Sequence, residues 1–197
     1  MTKPITHRAK GDDLREKVLS TALELFSARG YFNTSIQDIR QAAGVSTGAI
    51  YHHFENKEAL AKALYESLLV QMDVAIACAC QPHGGCYAQS RAIIEQLFTL
   101  TEEQPKLMQF ILLAQHREYL PNESPICSSK PFKAMRQVIE QGMINGEIRQ
   151  MDAWVAATTM FGGALRMMNL ALDGVLGHSL LNHVDEVAEA AWRGIKR

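Results

Sequence analysis

Apolar positions recur along this chain with the 3.6-residue period of a helix, and almost nowhere with the alternation of a strand. Leu14, Val18, Ala22, Leu25 and Phe26 fall on one helical face, with Asp13 and Glu16 as a capping pair at its start and Gly30 as its stop. Thr34 and Gln37 have the spacing of a capping box. They predict a short second helix with Ile36, Ile39 and Ala43 on its apolar side and Gly44 at its end. Ser46 is the next N-cap candidate, and a third short helix is predicted over 47–54. Asn56 opens a fourth, which carries Ala59, Leu60, Ala63, Leu64, Leu68 and Met72 to about residue 79 before Pro82, Gly84 and Gly85 break it. Longer helices are predicted over 87–102, 105–119, 129–145, 152–175 and 181–196. The reading is all-α: a three-helix N-terminal helix-turn-helix domain over 1–56, then a larger helical bundle over 57–197.

The turn Ala43-Gly44-Val45-Ser46 carries the functional signal. Glycine permits the tight corner, valine fills the space between two helices, and serine caps the second. That second helix then offers its N-terminal residues to a DNA major groove. Thr47, Gly48 and Ala49 are small enough to let the helix lie close to base edges, while Tyr51, His52, His53 and Lys57 are long enough to reach phosphates. The amide end of the helix that follows Asn56 is a further phosphate site.

Thr34-Ser35-Ile36-x-x-Ile39, followed by Ala42-Ala43-Gly44-Val45-Ser46-x-Gly48-x-Ile50-Tyr51-x-His53-Phe54-x-x-Lys57-x-x-Leu60, resembles the TetR family of bacterial transcriptional regulators. Ala22-Leu23-Glu24-Leu25-Phe26 with Gly30-Tyr31 is similar to that family's first helix, so the resemblance covers about residues 12–62. A fainter likeness lies at Glu140-Gln141-Gly142 and Gly146-Glu147-Ile148. The resemblance implies a repressor released from a near-palindromic operator in double-stranded DNA by a small-molecule effector. It maps Thr34, Ser46, Thr47, Gly48, Ala49, Tyr51, His52 and Lys57 onto DNA-contact positions and leaves Phe54 to the core. Arg40 departs from the family pattern, which has a small residue there; it is read as an exposed charge at the edge of the apolar stripe, with a phosphate contact as the alternative.

Composition narrows the classes. Twenty basic against 21 acidic side chains give a net charge of −1, so DNA must be met by a local patch. Residues 153–172 carry one charge, Arg166, but also two threonines, two glycines and Asn169, which reads as a helix buried in protein rather than in a bilayer. The polar, basic first ten residues do not read as a signal peptide, and a cytoplasmic protein is expected. No dinucleotide fingerprint, phosphate loop, zinc-protease helix or nucleophile elbow occurs, so neither an enzyme nor a cofactor is expected.

The regulatory half yields three expectations. A homodimer would cover the helix over 153–172, where Gly162, Gly163 and Ala164 allow close approach, together with Leu181, Val184, Val187, Ala188, Ala191 and Trp192. An effector pocket would be lined by Met108, Leu112, His116, Met135, Trp154, Met160 and Phe161. Cys78, Cys80, His83 and Cys86, with Cys127 more distant, raise thiol or metal sensing as an alternative. Their spacing matches no standard zinc pattern, so no metal ligand is assigned and an ordinary loop is the favoured reading.

Overall fold

The computed structural model describes residues 6–80, 84–113 and 116–197, with side chains placed from residue 12 onward. Among them are nine α-helices, short 3₁₀ turns and a single antiparallel bridge between Ile148 and Lys196. Two compact units form. The first is Met1–Leu68 with Ala114–Glu123, and the second is Leu69–Leu113 with Ser124–Arg197.

In the first unit α1 (Thr6–Arg29) packs against α2 (Ile36–Ala43) and α3 (Thr47–His53), and α4 begins at Lys57. Burial of Val18, Ala22, Phe26, Ile39, Ala43, Ile50 and Phe54 supplies the apolar interior. The first helix starts well before Asp13, so Asp13 and Glu16 lie inside it. There the N–H groups already have partners in the preceding turn and need no cap. Gly30 ends it at φ 80°, and Gly44 ends α2 at φ 64° with its N–H shared between the carbonyls of Arg40 and Gln41.

The capping box of α2 sits one residue later than the Thr34–Gln37 reading. Ser35 Oγ accepts the Asp38 N–H at 3.1 Å, and the Asp38 carboxylate accepts the Ser35 N–H at 2.8 Å and its hydroxyl at 2.6 Å. These bonds hold the Asp38 carboxyl below its ordinary value. Downstream the caps fall as read. Ser46 Oγ accepts the Ala49 N–H at 3.1 Å, and Asn56 Oδ1 accepts the Ala59 N–H at 2.8 Å.

The second unit centres on α5 (Gly85–Glu103), which packs against α6 (Pro105–Leu113), α7 (Lys130–Ile144), α8 (Ala153–Leu172) and α9 (Val184–Arg193). Ile93, Ile94, Leu97 and Phe98 of α5 are fully buried. Ser129 and Asn145 flank α7 as its caps, and Asp152 caps α8 by accepting from the N–H groups of Trp154 and Val155. Two predicted helices are shorter than read. The 105–119 segment is α6 plus a 3₁₀ turn at His116–Glu118, and the 181–196 segment opens as a 3₁₀ turn, Leu180–His183, capped by Ser179. Ala156, Met160, Phe161, Ala164 and Met168 bury one side of α8. No helix among the described residues is long and apolar enough to cross a membrane.

Candidate nucleic-acid interface

The α3 helix turns Ile50 inward, fully buried, and its opposite side outward. Ser46, Gly48, Tyr51 and His52 are exposed, and Thr47 and Ala49 are half-buried. Tyr51 stands 52% exposed, a large aromatic outside the buried interior. Nothing lies within 4 Å of the place where a Cβ on Gly48 would be, so the helix N-terminus is an open, shallow surface. The His52 and His53 rings meet edge to face at 5.1 Å. Six of the eight sequence-read contact positions thus fall in the Ser46–His52 stretch, four of them exposed and two half-buried.

The other two do not present free groups. Thr34 is 1% exposed, and its hydroxyl donates to the carbonyl of Gly30 at 2.9 Å. A buried threonine hydroxyl at the end of a tight turn finds its partner in a backbone carbonyl this way, and that use removes its side chain from the outer surface. Lys57 Nζ donates to the carbonyls of Tyr31 and Thr34, each at 3.0 Å, and burial lowers its pKa from the ordinary lysine value. Phe54 is core, 3% exposed. Arg40 is half-buried and donates from Nε to Gln37 Oε1 at 2.8 Å.

Sequence reasoning missed an aromatic cluster in this unit. Tyr119 stacks on Tyr31 with ring centres 4.0 Å apart and planes 12° from parallel, and its hydroxyl pairs with His116 Nδ1 at 2.7 Å. His116 also lies 4.5 Å from the Tyr65 ring. Glu123, nearby in sequence, pairs with Lys62 at 2.6 Å. His116, read as an effector contact, is thus engaged by two tyrosines of the first unit.

In the second unit a cavity of about 250 Å³ opens between α7 and α8. Met135, Trp154 and Phe161 line it, as read, together with Phe132, Arg136 and Cys127. Met108, Leu112, Met160 and His116 are not in its wall. Met108 and Met160 are fully buried, where methionine serves as adaptable packing. The Arg136 guanidinium lies 4.3 Å from the Trp154 ring centre and donates to Glu140 at 3.1 Å.

The cysteines do not form a common site among the described residues. His83 lies outside those residues, and no group of three or more His, Cys, Asp or Glu side chains fit to hold a metal occurs among them. Cys78 and Cys127 are exposed, whereas Cys86 is buried, with its thiol donating to the Val138 carbonyl at 3.4 Å. Burial pushes the Cys86 thiol up to about 11, the opposite of what a reactive thiolate needs.

Comparison with known proteins agrees with this architecture. Residues 18–64 match the family described as bacterial regulatory proteins, tetR family, and residues 65–197 match the tetracyclin repressor-like C-terminal domain. The chain belongs to the TetR family of transcriptional regulators, which are DNA-binding proteins and not enzymes. The HTH-type transcriptional regulator TtgR of Pseudomonas putida is 27% identical over 183 residues, 85% of this chain and 86% of that protein. The HTH-type regulator AcrR of Shigella flexneri is 41% identical over 59 residues, 30% of this chain and 27% of that one. Among solved structures, a TetR family regulator from Marinobacter aquaeolei has the same fold, with a TM-score of 0.81 at 21% identity over 96% of this chain and all of that one. FadR of Bacillus subtilis, solved with stearoyl-CoA, has a TM-score of 0.78 at 20% identity over 91% of this chain and 98% of that one.

Proposed function

We propose that this protein is a homodimeric, cytoplasmic repressor that reads a near-palindromic operator through α3 and leaves it when a small molecule occupies the second unit. The observation that carries the reading is the outward face of Ser46–His52. A serine-capped helix, fixed by a left-handed glycine turn, displays small residues at its N-terminus and an exposed tyrosine one turn on. Thr47, Gly48 and Ala49 admit base edges, and Ser46, Tyr51 and His52 bond to backbone and bases.

The dimer is supported by α8, whose outward stripe Val155, Thr159, Gly163 and Arg166 is exposed, with Val155 at 53%. A second copy related by a two-fold axis would cover it and set two α3 helices about one DNA turn, roughly 34–36 Å, apart. The effector reading rests on the α7–α8 cavity, whose apolar and aromatic walls suit a small organic molecule.

Selection from a random-sequence duplex pool tests the reading. Enrichment of an inverted repeat with half-sites about one turn apart is the expected result. An unenriched pool overturns it.

A further inference from the structure

The base of the helix-turn-helix is closed by a half-buried lysine whose ammonium bonds to the protein's own backbone. An ammonium has three N–H donors. Lys57 Nζ gives two of them to the carbonyls of Tyr31 and Thr34, at 3.0 Å each, and stands 4.1 Å from the centre of the Tyr31 ring. Residues 31 and 34 lie just before α2, and residue 57 lies just after α3. The three contacts therefore tie together the two ends of the segment that carries the reading helix.

The Tyr31 ring is held from both sides. Tyr119 stacks parallel to it at 4.0 Å, which leaves only the opposite face for the lysine. Tyr119 is itself 8% exposed and pinned by its hydroxyl to His116. Residues 116–123 belong to the first unit although the chain between 69 and 113 belongs to the second. The reading domain is thus completed by a strap from far along the sequence.

We propose that Lys57 and Tyr119 are positioning residues for DNA binding: they clamp Tyr31 between them, fix the start of α2 against the start of α4, and set the angle of α3 without touching DNA. The proposal rests on the DNA-reading function proposed above. It departs from the phosphate role that sequence pattern gives Lys57. A positioning lysine and a phosphate-bound lysine differ in one measurable respect. Loss of a phosphate contact flattens the dependence of log affinity on log salt by about 0.9, because a counterion is no longer released. Loss of a positioning contact weakens binding and leaves that slope unchanged.

The test uses the full chain and the duplex that the wild-type protein selects from a random pool, titrated over a range of salt. Lys57→Met and Tyr119→Ala are each expected to weaken binding by about tenfold or more, equivalent to about 1.4 kcal/mol, at every salt concentration and with the wild-type slope. Tyr119→Phe, which keeps the stack, is expected to bind within about threefold of wild type. Because both residues act through one ring, the double variant should be weakened by less than the product of the single effects. Should Tyr119→Ala lose its cooperative melt, Tyr119→Leu, which keeps buried bulk without a ring, takes its place. A Lys57→Met slope flatter by about 0.9, wild-type affinity in the Tyr119 variant, or full additivity would each overturn the proposal. A pool that wild-type protein fails to enrich would overturn the DNA-reading function and this proposal with it; the other adverse results overturn this proposal alone.

Discussion

Gly142 of α7 faces Cys86 of α5 with no room for a side chain between them. A Cβ at Gly142 would stand 2.5 Å from the Cys86 sulfur, 2.9 Å from its Cβ and 3.0 Å from Cδ1 of Ile148. The Gly142 carbonyl also receives the N–H groups of Glu147 and Ile148, at 2.9 and 3.1 Å, so the backbone there has partners on two sides. Gly142→Ala is therefore expected to lose about 1–3 kcal/mol of stability through overpacking. Denaturant unfolding of the second unit's signal measures it, and an unchanged midpoint would contradict the close approach.

The same crossing makes Cys86 a poor sensor. Its thiol is expected to resist a maleimide at neutral pH under conditions that modify the exposed Cys78 and Cys127, as read by peptide mapping. The pH dependence has a definite sign. Burial raises the folded-state pKa from 9.0 to about 11, so the neutral thiol's contribution is intact below 9.0 and is lost as pH rises from there through about 11. The stability difference between wild type and Cys86→Ala should shrink across that window. A difference that stays flat would show that the folded and unfolded thiols titrate alike.

Much of the reading domain was legible because its chemistry is local. Gly44, Ser46 and Asn56 act within four residues of themselves, and each caps or ends the helix that its position implied. The Thr34 and Ser35 pair shows the limit of such patterns. Two overlapping capping boxes fit the sequence, and the choice fell to Ser35 because the buried Thr34 hydroxyl donates to the Gly30 carbonyl in the preceding turn. The Tyr31–Tyr119 stack joins residues with no periodic relation to one another, and the lysine that opens α4 looks like any basic residue beside a DNA helix until its donors are located. In the regulatory half, composition marked methionines and aromatics alike. Only the packing separates Met135, which lines a cavity, from Met108 and Met160, which fill the interior.

Tyr51 is 52% exposed, outside the buried interior of the first unit. Tyr51→Ala is expected to leave the melting temperature near wild type and to weaken binding to the selected duplex by about 1–3 kcal/mol. Undiminished affinity in a gel-shift titration would remove Tyr51 from the contact surface.

Gly163 lies on the outward stripe of α8, with no atom within 4 Å of a Cβ built on it. A Cβ there meets no neighbouring element of the single chain, so Gly163→Leu tests the surface rather than the fold. If a second α8 crosses there, the variant should sediment as a monomer and bind its duplex more weakly, since overpacking of this kind costs about 1–3 kcal/mol. A variant that remains dimeric would place the crossing elsewhere.

The central claim is that α3 reads base sequence, and it is tested most directly by a ratio of affinities. Full-length protein is titrated against its selected duplex and against a duplex of the same length and composition with the half-sites scrambled, both at about 0.15 M salt. Specific readout predicts that the selected duplex binds about 10³-fold tighter or better. Equal affinity for the two would mean that the Ser46–His52 face only meets the phosphate backbone, and would contradict the account.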